Sequence, residues 1–138
     1  MIASRYAMLA ATLLVSAPAL YPVPASSAGA PRVIEVVADK DNRFKVPGQK
    51  KPVITVKAKE VIRLRITSRK GTEWEKDGAV HSLTIKELKE QGWDLRLKEG
   101  VQEVLLVAPE RPGEYVAECL VKCGDGHDDM RMKLIVTQ

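Results

Sequence analysis

Apolar and β-branched residues fall along this chain in short runs separated by polar, turn-forming stretches. In EVIRLRITS (60–68), Ile62, Leu64 and Ile66 alternate with Arg63, Arg65 and Thr67, the period-2 pattern of a strand with one buried face. VIEVVA (33–38), VITVK (53–57), VHSLTI (80–85), VQEVLLV (101–107) and GEYVAEC (113–119) continue the series. In MRMKLIV (130–136), Met130, Met132, Leu134 and Val136 share one face, and Arg131 and Lys133 share the other. About seven short strands, punctuated by turn signals such as VPGQKKP and PERPGEY, predict an all-β sandwich or barrel. IKELKEQGW (85–93) has helix-forming composition and predicts a single helical turn between strands. SRKGTEWEKDGA (68–79) reads as a polar loop.

The first 30 residues follow a different pattern. Arg5 is the only charge before Arg32, YAMLAATLLVSAPAL is a short apolar run, and small residues and prolines follow in YPVPASSAGA. A basic start, an apolar middle and a small-residue end predict a secretory signal peptide, cleaved after Ala28 or Ala30. An uncleaved N-terminal anchor is the competing reading. Pro18, Pro22 and Pro24 speak against it, because they leave less than the roughly 20 apolar residues a spanning helix needs. The expected organisation is therefore residues 1–30 as a leader and residues 31–138 as one domain without a further membrane span, exported to the periplasm or secreted.

The formal net charge of +4 includes Arg5, and the basic residues of the mature region are interspersed with acids. Phe44 is the only phenylalanine, so the aromatic-rich basic face that single-stranded nucleic acid needs is missing, and no nucleic-acid partner is expected.

The chemistry concentrates in ECLVKCGDGHDDM (118–130). Cys119, Cys123, His127 and Met130 are separated by three, three and two residues, which places four soft or borderline metal donors in one short segment. His81, the other histidine of the mature region, falls in a predicted strand. A lone strand histidine is usually structural, but here no cysteine or other histidine stands elsewhere in the mature chain. A loop returning at Met130 can turn Cys119, Cys123 and His127 toward a common point that His81 completes. In an oxidising compartment the same cysteines can instead form a disulfide in the resting state without metal, which stands as the minority alternative. Two Cys and two His also suit tetrahedral zinc. Zinc sites generally use tighter Cys pairs, however, and zinc gives no role to Met130, whereas a weak axial thioether is a familiar copper ligand. The residues favour copper over zinc.

Cys-x3-Cys-x3-His-x2-Met with an upstream His resembles the binuclear copper A motif of cytochrome c oxidase subunit II, shared with nitrous oxide reductase. PGEYVAECLVKCGDGHDDMRMKLIV (112–136) is similar to that family's closing strand-loop-strand, VHSL (80–83) to its first-ligand strand, and VKAKEVIRLRITS (56–68) to the strand before it. The likeness spans residues 33–136 and is strongest after 112. It implies a cupredoxin-like fold, a Greek-key β-sandwich. It also implies a binuclear copper cofactor: Cys119 and Cys123 would bridge two coppers, His81 and His127 would each bind one, and Met130 and the backbone carbonyl of Val121 would be weak ligands. Two departures stand out. The oxidase family carries a magnesium-binding Glu midway between the cysteines, where this chain has Val121. The oxidase subunit also has a membrane hairpin before its copper domain, where this chain has a signal-like segment.

Two functions compete. The first is an exported, non-catalytic one-electron carrier whose partner is a redox protein such as a c-type cytochrome or a cuproenzyme. The second is a periplasmic copper chaperone or store using the same ligands. Sco copper chaperones share Cys-x3-Cys and a distant His, but they are thioredoxin-like and their His lies downstream, so only the function is analogous. Trp74, in the polar loop before His81, is expected to be a packing residue, with a role in electron uptake as the less ordinary alternative.

Overall fold

A computed structural model describes residues 29–138; of the leader expected over residues 1–30, all but the last two lie outside the described residues. The predicted alternation is realised in β4 (Val61–Ser68), where Ile62, Leu64 and Ile66 are completely buried. It pairs in parallel with β1 (Arg32–Ala38) and antiparallel with β7 (Gly100–Val107). A two-residue β2 (Phe44–Lys45) completes this first sheet in the order β2-β1-β4-β7. The second sheet runs β3-β9-β8-β5-β6, with β3 (Val53–Lys57), β5 (Ala79–Thr84), β6 (Asp94–Lys98), β8 (Gly113–Glu118) and β9 (Arg131–Thr137). β3 and β9 are parallel; the other pairs are antiparallel.

The inner faces supply one core. Ile34 and Val36 join the β4 residues from the first sheet, and Ile54, Val56, Leu83, Leu97, Met132, Leu134 and Val136 meet them from the second. Each such side chain, fully removed from water, contributes about 1.5–3 kcal/mol. Trp93 lies in the core, and its indole Nε1–H donates to the Val107 carbonyl (3.1 Å), tying the start of β6 to the end of β7. Gly92 just before it takes a left-handed φ of 92° and ends a 3₁₀ turn over Lys86–Gln91, the predicted helical turn.

The fold is thus the all-β, two-layered sandwich that the sequence predicts. β2 and β6 were not foreseen: β2 is too short to show alternation, and β6 (DLRLK) is an edge strand diluted by charge. Among the described residues no helix is long and apolar enough to cross a membrane.

Candidate metal centre

β5 differs from every other strand in being buried at all six positions. A register irregularity between Ala79 and His81 directly precedes the histidine, and such bulges re-aim a side chain. His81 is completely buried. One of its ring nitrogens lies with the sulfurs of Cys119 and Cys123 in a group whose atoms are all within 4.8 Å of one another. Its Nε2 is 2.8 Å from the Arg69 carbonyl oxygen. A carbonyl only accepts, so Nε2 carries a hydrogen, and in the neutral imidazole Nδ1 then keeps the free lone pair that a metal needs. That Nδ1 is buried and has no hydrogen-bond partner.

Cys119 follows directly on β8 and Cys123 lies four residues on, both with free thiols. Their sulfurs stand 3.9 Å apart, well beyond the roughly 2.05 Å of a disulfide. The connecting loop folds over β5: the Leu120 amide donates to the Ser82 hydroxyl (2.7 Å), and the Ser82 amide donates to Cys119 Sγ (3.4 Å). The Val121 carbonyl oxygen is 3.1 Å from Cys119 Sγ, and its side chain is core. Gly126, with φ 89°, starts a 3₁₀ turn over His127–Asp129, bringing His127 Nδ1 to 3.6 Å and Met130 Sδ to 3.9 Å from Cys123 Sγ. Met130 is fully buried and its carbonyl accepts from the Cys119 amide (3.1 Å), closing the loop where β9 begins.

The structure therefore gathers His81, Cys119, Cys123, His127, Met130 and the Val121 carbonyl at one end of the sandwich, with Cys123 at the centre. The two thiols titrate as a pair. A hydrogen bond from Cys123 pulls the Cys119 thiol far below the ordinary thiol range, against desolvation, and the Ser82 amide acts in the same direction. The Cys123 thiol, donating to Cys119 and buried, is raised. The pair sheds one proton readily and retains the other between the sulfurs. Losing that second proton as well would leave two thiolates 3.9 Å apart, a state that only a cation between them would stabilise. The unpartnered Nδ1 of His81 and the thioether of Met130 suit a soft or borderline metal, so the donor set fits copper.

Several supporting groups were not foreseen. The Ser82 contact has a weak signal in its place next to His81, and the Arg69 carbonyl has none, since any residue type supplies one. The loop bearing Trp74 touches the centre through the Glu73 amide, which donates to the Cys123 carbonyl (3.3 Å), and a Lys122–Glu73 ion pair at 3.2 Å. Trp74 itself does not pack: it is 55% exposed, with the Lys70 ammonium 4.5 Å from its ring centroid.

No family model matches the sequence, and no curated protein matches it either. Solved structures do share its architecture. A chain of a heme-copper terminal oxidase dimer superposes with a TM-score of 0.56 at 19% identity, covering 88% of this chain and 77% of that one. The periplasmic domain of subunit II of cytochrome oxidase from Bradyrhizobium japonicum gives 0.51 at 16% identity, over 78% and 84%. Dithionite-reduced auracyanin from Roseiflexus castenholzii gives 0.50 at 16%, over 80% and 100%. The chain has a cupredoxin-like β-sandwich fold. Within that class its fold is similar to those of the oxidase subunit II periplasmic domain and of auracyanin, and it brings a His-Cys-Cys group together.

Proposed function

We propose that this protein is an exported one-electron carrier with a binuclear copper A-type site. In this reading Cys119, Cys123, His81 and His127 would hold the metals, the histidines through Nδ1, and Met130 and the Val121 carbonyl would be weaker donors. The observation that carries the reading is the pair of buried, unbonded sulfurs 3.9 Å apart with His127 Nδ1 and Met130 Sδ against one of them. Bound by these donors, copper would supply one-electron redox chemistry. The chain's part is to hold the donors still and to keep water out. His81 is fixed by Arg69 and Cys119 by Ser82, and Met130, fully buried, closes the site against Cys123. The exposed indole of Trp74, on a loop bonded to the Cys123 carbonyl, suits electron uptake from a redox protein such as a c-type cytochrome. The role is transport and not catalysis.

The test is metal content together with electron paramagnetic resonance of protein matured in its own exported compartment. Two coppers per chain in one delocalised mixed-valence centre are expected; a hyperfine pattern from a single copper nucleus at full occupancy would defeat the binuclear assignment. A copper chaperone or store is the second reading, favoured by the placement of Cys123 and His127 on one surface loop with His127 only half-buried. Rapid copper loss to a Cu(I) chelator, together with no electron uptake from reduced cytochrome c, would decide for it.

A further inference from the structure

The turn between β1 and β2 (Asp39–Arg43) has no donor of its own, yet it reaches the centre from two sides. From one side, the Arg69 amide donates to the Ala38 carbonyl (2.9 Å) and the Arg69 guanidinium to Asp39 Oδ1 (3.2 Å). Arg69 in turn presents its carbonyl to His81 Nε2. From the other side, Asn42 projects its side chain into the ligand loop, where Nδ2 donates to the Asp125 carbonyl at 2.6 Å, across 83 residues of sequence. Asp125 lies midway between Cys123 and His127.

Three features show that this contact is built. Asn42 is 3% exposed and holds a left-handed φ of 55°, a conformation that asparagine tolerates better than other side-chain-bearing residues. The loops around it are cut to fit. A Cβ on Gly71 would strike Asn42 Oδ1 and the Cys123 carbonyl, and one on Gly124 would strike Thr72 Oγ1 and come to 3.2 Å from Asn42 Nδ2. Finally, Asn42 Oδ1 is buried without a partner. An orphaned buried acceptor costs stability, a cost that the bond from Nδ2 to the Asp125 carbonyl has to offset. An accepting carbonyl at Asp125 also fixes which end of the amide faces it.

We infer that Asn42 is a positioning residue for the ligand loop: its carboxamide holds the Asp125 carbonyl so that Cys123 and His127 stay turned toward Cys119 and His81 before metal arrives. This rests on the copper reading above and adds to it a residue outside the donor motif. Asn42→Gly keeps a residue at ease with the positive φ and deletes the link. Asn42→Asp keeps the shape and turns the donor into an acceptor facing a carbonyl.

The experiment measures Cu(I) affinity by chelator competition for wild type, Asn42→Gly, Asn42→Asp and Cys119→Ser, with the thiolate-to-copper absorption of the loaded proteins. Loss of a group supporting a metal ligand typically lowers affinity about 10–100-fold, and that loss with altered absorption is expected for both Asn42 variants. Affinity and absorption matching wild type in both would overturn the inference. If wild type binds no more tightly than Cys119→Ser, the copper reading is what fails. The positioning role is then judged on amide hydrogen exchange of the metal-free protein: faster exchange at Gly124–Asp129 in Asn42→Gly supports it, and unchanged protection refutes it. Should Asn42→Gly not fold, both measurements are made on Asn42→Asp.

Discussion

The donors come from two regions built differently. His81 and Cys119 belong to the sheet: one is in β5, buried at every position, and the other is the residue after β8, with its amide bonded to the Met130 carbonyl. Cys123 and His127 belong to a loop shaped by positive-φ glycines at 124 and 126 and held by hydrogen bonds to neighbouring loops. The sheet donors are therefore paid for by the core that folds the whole domain, whereas the loop donors depend on a few specific contacts. A site with one rigid half and one separately fastened half can keep its geometry while leaving a single side open to metal and partner.

The largest effect should come from breaking the junction between the halves. Cys123 Sγ is within 3.9 Å of Cys119, His127 and Met130 sulfur or nitrogen atoms, so Cys123→Ser removes the common neighbour. Its hydroxyl is a poor, hard substitute for a bridging thiolate. Cys119→Ser also removes a bridge but leaves Cys123, His127 and Met130 adjacent. Both should lose the binuclear signature, and Cys123→Ser should retain the less copper. A wild-type spectrum in Cys123→Ser would show the bridging assignment to be wrong.

The two histidines sharpen the contrast in the metal-free protein. His81→Ala leaves a cavity in a fully buried position and strips the Arg69 carbonyl of its partner, a loss of roughly 1–3 kcal/mol for the hydrogen bond alone. His127→Ala removes a half-buried ring from the loop and should stay within about 0.5 kcal/mol of wild type. Denaturant unfolding without metal measures both. Equal destabilisation would remove the distinction between a rigid half and a fastened half.

A smaller effect tests the two weak ligands. Met130→Leu conserves volume and should cost under about 1.5 kcal/mol, with copper retained and the midpoint potential shifted. Val121 was expected to matter only through its carbonyl. Its side chain is 1% exposed and belongs to the core. Val121→Ala should therefore spare the spectrum but cost stability, up to roughly 1.5–3 kcal/mol. A changed spectrum with unchanged stability would reverse that division.

Legibility follows the same boundary. The strands of the sheet half were visible because alternation in β4 and β9 survives translation into one buried and one exposed face. The short spacing of Cys119, Cys123, His127 and Met130 suggested a shared centre because so small a loop has few ways to disperse its side chains. What fastens the loop was not visible. Asn42 and Arg69 act through contacts 83 and 12 residues away in sequence, and both end on backbone carbonyls, which no residue type announces. Asn42 left one trace, as an asparagine in the polar turn of DKDNRF, where left-handed backbone is common.

The smallest effect concerns the turn that serves both halves. Asp39 accepts from Lys45 Nζ (2.6 Å), the Lys40 amide (2.8 Å) and Arg69 Nη1 (3.2 Å), and Asp41 also pairs with Lys45 (2.7 Å). The Lys45 ammonium, first among these, holds the Asp39 carboxyl well below the usual carboxylate range, with the Lys40 amide and Arg69 adding to it against desolvation. A folded value below the unfolded one means that ionised Asp39 stabilises the fold above the ordinary aspartate range near pH 4, and that this contribution fades as pH falls toward the depressed value. Asp39→Asn should therefore lower stability modestly at neutral pH, because exposed Lys45 and Arg69 limit what each pair is worth. The gap to wild type should then narrow on acidification below about pH 4. Unfolding midpoints of the metal-free proteins across that range measure it. A gap that stays constant into acid would mean that the turn is held by its backbone bonds, Asp39 N–H to Arg43 and Asn42 N–H to Asp39, and that the carboxylate adds nothing to its grip on Arg69.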